Sequence, residues 1–163
     1  MHFVKSVAIV TSQFNEVITK ALNHSAKETL KENGFTAYQV EEFFVPGSFE
    51  LPLICQTLAQ TGKYSSVIAL GCVIQGDTPH FDYVCQETSH GLMEAGLKTG
   101  VPIIFGVITC NSWEQALIRS GLKDIDPALE IREKKVLNKG HESAQAAIHM
   151  MKLMEQIYRK KGI

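Results

Sequence analysis

The segment Gln75-Gly76-Asp77-Thr78-Pro79-His80 gathers a carboxylate, a hydroxyl and an imidazole in one short polar stretch. An imidazole exchanges protons near neutral pH, which makes His80 the candidate acid–base group. Thr78 and the backbone N–H groups beside it suit an anion, because unpaired donors point outward where a helix begins. Arg119 offers a two-pronged grip on phosphate; its plainer role is to complement a helix C-terminus. Together these groups support proton transfer on an anionic substrate. Phe14 is an aromatic in the polar turn Thr11-Ser12-Gln13-Phe14-Asn15, where it either lids the core or faces a ligand. Glu50 follows Ser48 and Phe49. It either complements a helix dipole or accepts a hydrogen bond in the same crevice. Asp77, His80 and Asp82 match no specific metal-ligand spacing and no cysteine joins them, so no metal is expected. His24, His90, His141 and His149 read as surface or packing residues.

Such a set needs a scaffold that brings distant turns together. The apolar runs Val7–Val10 and Val67–Leu70 are short and continuous, the mark of strands buried on both faces of a parallel sheet. Tyr38–Val45 and Ile103–Thr109 make four strands. A helix is expected from Asn15, as its cap, to about Asn33, with Gly34 ending it. Ser48 is expected to cap a second over about Phe49–Gln60. A third runs from about Phe81 to Thr99, and Asn111 or Ser112 caps a short fourth, Trp113–Arg119. Trp113 itself reads as a core or interface anchor. The last helix starts at Asn138-Lys139-Gly140 and reaches about Lys160. Its inward stripe is Ala144, Ala147, Ile148, Met151 and Met154. In the third helix, Gly91, Ala95 and Gly96 suit either a subunit contact or packing within the chain. Leu122–Leu137, charged and broken by Pro127, reads as a loop with a helical turn.

The βαβαβαβ order followed by two helices predicts an α/β, flavodoxin-like three-layer sandwich. Its four-stranded parallel sheet has the order 2-1-3-4, with helices on both faces. The carboxyl ends of all strands share one edge. The turns holding Phe14, Ser48–Glu50, Asp77–His80 and Asn111 are therefore expected in one crevice at that edge.

With 45% hydrophobic and 20% charged residues over 163 positions, the chain reads as one domain, residues 1–163. A net charge of −1 gives no general attraction to nucleic acid or anionic membrane. No apolar run reaches the ~20 residues that span a bilayer. Met1-His2-Phe3-Val4-Lys5 lacks the layout of a signal peptide. Cys55, Cys72, Cys85 and Cys110 form no CxxC pair and lie in apolar contexts, as in a reducing compartment. The expectation is a cytoplasmic protein. The turn after the first strand has neither a Gly-rich phosphate cradle nor paired acidic residues, which disfavours flavodoxin-type, Walker-type and phosphoreceiver functions.

Phe14-Asn15, VPGSFELP (Val45–Pro52), ALGCVIQGDTPHFDYV (Ala69–Val84), PIIFGVITC (Pro102–Cys110), EQALIRSG (Glu114–Gly121) and NKGHESA (Asn138–Ala144) stand in this order. Together they resemble the lumazine synthase family over nearly the whole chain. The resemblance implies condensation of 5-amino-6-(D-ribitylamino)uracil with 3,4-dihydroxy-2-butanone 4-phosphate to 6,7-dimethyl-8-ribityllumazine. It implies that Phe14 stacks on the pyrimidine and that Ser48, Phe49 and Glu50 hold that substrate, helped by Cys72, Val73 and Ile74. Asp77, Thr78 and Arg119 would meet the phosphate substrate, and His80 would donate the proton. Phe105 and Lys139 would reach in from an adjacent subunit. No cofactor is implied. The expected partners are two small molecules and copies of the chain itself, with riboflavin synthase as a pathway neighbour. The segment between EQALIRSG and NKGHESA is longer than in capsid-forming relatives, which favours a pentamer or a pair of pentamers over a sixty-subunit shell. The alternatives are a flavin- or lumazine-binding carrier and a shell protein.

Overall fold

A computed structural model describes residues 6–123 and 137–161. Four strands, β1 (Val7–Ser12), β2 (Val40–Val45), β3 (Ser66–Ile74) and β4 (Ile103–Cys110), pair in parallel in the order β2-β1-β3-β4. The expected topology is the observed one. The described helices are α1 (Glu16–Glu32), α2 (Leu51–Gln60), α3 (His80–Thr99), α4 (Trp113–Arg119) and α5 (Lys139–Lys161).

Side chains alternate across a strand, so a continuous apolar run must be covered on both faces. Val7 and Ile9 of β1, with Ile68 and Leu70 of β3, pack beneath α1 and α5 through Leu22, Ala26, Ala144 and Ile148. Ala8, Val10, Val67 and Ala69 pack on the other side against Leu51, Cys55 and Leu58 of α2 and Leu92 of α3. Three layers follow directly. Gly91 lets α3 approach α2 closely: a Cβ there would lie 2.8 Å from the Pro52 Cβ. Of the two roles open to the small residues of α3, Gly91 thus serves packing within the chain.

Local chemistry moved several boundaries. Tyr38 does not begin a strand. The Gln39 Oε1 accepts from the Thr36 amide and hydroxyl, both at 3.0 Å, and closes a 3-10 turn over Ala37–Gln39. Ser48 does not cap a helix that starts at Phe49. Ser48–Glu50 is a 3-10 turn, α2 begins at Leu51 with no side-chain cap, and the Ser48 Oγ lies against Gly71. Asn15 also makes no side-chain cap; its amide bonds across to β3 instead. Ser112 is the cap of α4, accepting from the Gln115 amide at 3.2 Å. Trp113 is half exposed at the start of α4, so it does not anchor the core. The expected loop over Leu122–Leu137 falls on residues 124–136, outside the described residues, apart from its ends. Among the described residues no helix is long and apolar enough to cross a membrane.

Candidate functional site

At the carboxyl edge of β1, β2 and β3 lies a cavity of about 710 Å³. Its lining brings together Phe14, Ser48, Phe49, Glu50, Cys72, Val73, Ile74, Thr78 and His80. They come from three turns and the end of β3, each placed for a local reason. Phe14 follows β1, whose exit is tied to the exit of β2 by two backbone bonds: the Gln13 amide donates to the Val45 carbonyl (2.8 Å) and the Phe14 amide to the Pro46 carbonyl (3.0 Å). Ser48 sits on the 3-10 turn after β2, and its carbonyl accepts from the Thr88 hydroxyl of α3 at 3.2 Å. That turn reaches the sheet only because Gly71 has no side chain; a Cβ there would lie 2.5 Å from the Ser48 Oγ. His80 is the first residue of α3, one position earlier than the sequence pattern suggests, and it is exposed.

The cavity offers an open aromatic face and a strip of neutral wall. Phe14 is 70% exposed and Phe49 57%, although both are large apolar groups. Cys72 is buried, and burial, with Cys110 alongside, pushes its thiol up to about 12. It stays protonated near neutral pH and behaves as wall rather than nucleophile. Gly47, Gly76, Phe81, Tyr83 and Val84 also line the cavity and were not singled out as site residues from the sequence. The readable signal for Tyr83 and Val84 was helical spacing: they stand three and four positions after His80, on the same side of α3.

Three turns converge, but the fourth does not. Asn111 does not line the cavity; its amide donates to Gln115 at the start of α4. The α4 helix folds back over the α1/α5 side, where Ala116 is buried in the core. It takes Arg119 with it. Arg119, Lys139, Phe105 and Asp77 do not line this cavity. Arg119 donates through Nη1 to the Leu137 carbonyl and through Nη2 to Glu142, both at 2.9 Å. Lys139 Nζ reaches the other Glu142 oxygen at 3.1 Å. Asn138 fixes this group, because its Oδ1 accepts from the Gly140 and His141 amides and its Nδ2 donates to the Ser120 carbonyl. Partial burial pushes the Glu142 carboxyl up, but Lys139 and then Arg119 outweigh it and hold it below the ordinary glutamate value. Two cations share one carboxylate, which leaves a net positive charge. Phe105 is 38% exposed on the edge strand β4, on the same side as Ile103 and Val107. No group of three His, Cys, Asp or Glu side chains among the described residues is arranged to hold a metal.

Compared with models of known protein families, residues 5–155 match the one described as 6,7-dimethyl-8-ribityllumazine synthase.

Proposed function

The chain belongs to the 6,7-dimethyl-8-ribityllumazine synthase family, and from that premise we propose the reaction its cavity performs. It condenses 5-amino-6-(D-ribitylamino)uracil with 3,4-dihydroxy-2-butanone 4-phosphate and releases phosphate and water. One observation carries this reading: a single cavity unites an open aromatic face, a polar turn and an exposed histidine. Phe14 stacks on the flat pyrimidine. Ser48 and Glu50 bind the hydroxyl-rich ribityl chain, with Phe49 beside them, and Cys72, Val73 and Ile74 form the wall. The amine that attacks the ketone belongs to the substrate. Imine formation, phosphate elimination and ring closure are then proton transfers, for which His80 serves. Most of the acceleration comes from holding two reactants together.

The phosphate subsite is divided in this reading. Thr78 lines the cavity, with Asp77 adjacent in the same turn, whereas Arg119 and Lys139 stand elsewhere around Glu142. Because one carboxylate holds both cations, they move as a unit. If Lys139 enters from a neighbouring copy, Arg119 comes with it, and Phe105 closes the same seam. Exposed Leu53, Tyr83, Met93 and Leu97 on α2 and α3 support a surface that a second copy covers. The assembly we favour is a pentamer or a pair of pentamers. A light-scattering mass of sixty subunits would contradict that preference.

The test is incubation with both substrates and with each omitted in turn. Catalytic formation of the coloured lumazine only when both are present supports the reading. Binding of lumazine without turnover would instead make the protein a carrier. Arg119→Ala is expected to raise KM for the butanone phosphate about 10- to 100-fold, the usual loss for charge-assisted bonds to an anion, and to leave KM for the aminouracil nearly unchanged. Unchanged KM and kcat for the phosphate substrate would remove Arg119 from the site.

A further inference from the structure

The ladder between β1 and β3 ends at the pair Thr11 and Leu70. Beyond it, the exit of β1 stays bonded to the β2 side through Gln13 and Phe14. On the β3 side one side chain replaces the lost ladder: Asn15 donates through Nδ2 to the Cys72 carbonyl at 3.0 Å. Asn15 has φ 58° and ψ 48° and, among the described residues, is the only non-glycine with positive φ. Its carbonyl then accepts from the Ile18 and Thr19 amides and starts α1. Phe14 lies between these anchors with most of its ring in solvent. An exposed ring has little packing to orient it, so its backbone must do so.

We propose that Asn15 is a positioning residue for Phe14: its left-handed backbone and its bond to Cys72 aim the ring across the cavity, and thereby set affinity for a flat heterocyclic substrate. Asparagine meets both requirements. It tolerates the left-handed region better than most residues, and it carries a donor. Glycine would keep the conformation without the donor. Aspartate would keep the size and turn a carboxylate toward a carbonyl. Asn15 itself does not line the cavity.

The proposal rests on the reading of Phe14 as a stacking surface, so the test has two arms. In the kinetic arm, Asn15→Gly is made alone and in the Phe14→Ala background. Alone, it is expected to raise KM for the aminouracil roughly five- to tenfold, as loss of one positioned hydrogen bond would, with kcat and KM for the butanone phosphate changed less than about twofold. With Phe14 already removed it should add nothing. Asn15→Asp should bind the aminouracil no better than Asn15→Gly. An unchanged KM, or an equal further loss in the Phe14→Ala background, would overturn the proposal. The second arm needs no substrate. Trp113 is the single tryptophan, so the double variant Trp113→Phe, Phe14→Trp carries its only indole at the site. Adding Asn15→Gly should lower its fluorescence anisotropy, and unchanged anisotropy would overturn the proposal. A wild-type chain inactive on both partners would defeat the assigned reaction, while the indole measurement would still decide the positioning role.

Discussion

Replacing His80 by alanine is expected to lower kcat by about 10²- to 10⁴-fold, the range a positioned general acid–base contributes. KM for the aminouracil should move little, because Phe14 and the Ser48–Glu50 turn remain in place. Activity should not vanish, since two reactants held in one cavity keep the advantage of proximity. The substitution also separates chemistry from folding. The side chain is exposed at the first position of α3, so its removal opens no core cavity. Stability is expected to stay within roughly 0.5 kcal/mol of wild type. Equal thermal midpoints with a collapsed kcat would identify a group that acts on the reacting atoms. An undiminished kcat would take the proton-transfer role away from His80 and leave the cavity a binding site.

The second large effect lies away from the cavity. Gly140→Ala is expected to cost about 3 kcal/mol or more, the upper range for forcing atoms into a packed interior. Gly140 is buried in the first turn of α5, where the helix crosses α1 at backbone distance. A Cβ there would fall on the Leu22 carbonyl oxygen, with the Leu22 carbonyl carbon 2.9 Å away. Backbone cannot swing aside as a flexible side chain can. The start of α5 must lift instead, and with it Lys139 and Glu142, which carry the Arg119 ion pair. The expected fall in melting temperature is about 6–12 °C at fixed protein concentration. Use of the phosphate substrate should fall further than use of the aminouracil. Gly76→Ala is the stability control: a Cβ at Gly76 meets nothing within 4 Å, and the loss should be under about 0.5 kcal/mol. A Gly140→Ala protein as stable as that control would mean that α1 and α5 do not cross this tightly.

Much of the site is legible in the sequence, and the exceptions share a cause. Ser48 and Asn15 have the residue types of helix caps, and local preference assigned them that role. Both side chains are instead engaged by β3, a strand distant in sequence: Ser48 packs against Gly71 and Asn15 bonds to Cys72. A polar side chain follows whichever partner folding brings near, and a one-dimensional pattern does not display that partner. The same limit applies to Tyr38. Its β-forming character was legible, but the bonds between Thr36 and Gln39 hold it in a turn. Tyr83 and Val84 joined the cavity because the first turn of α3 carries them beside His80. Their helical spacing was visible, and the direction in which that face points was not.

From the residues alone one could know the strands, their order and the edge where Phe14, Glu50 and His80 would gather. Continuous apolar runs demand a sheet covered on both faces, and the handedness of parallel crossovers leaves few arrangements. Tertiary packing decided which turns at that edge share a cavity. The resemblance implied that Arg119 meets the phosphate substrate with Thr78. Within one chain Arg119 lies outside the cavity that Thr78 lines, on a helix seated by burial of Ala116 in the α1 and α5 layer, and it pairs with Glu142. The face on which a helix packs is set by the long-range burial of its apolar side. Local pattern shows only that such a side exists.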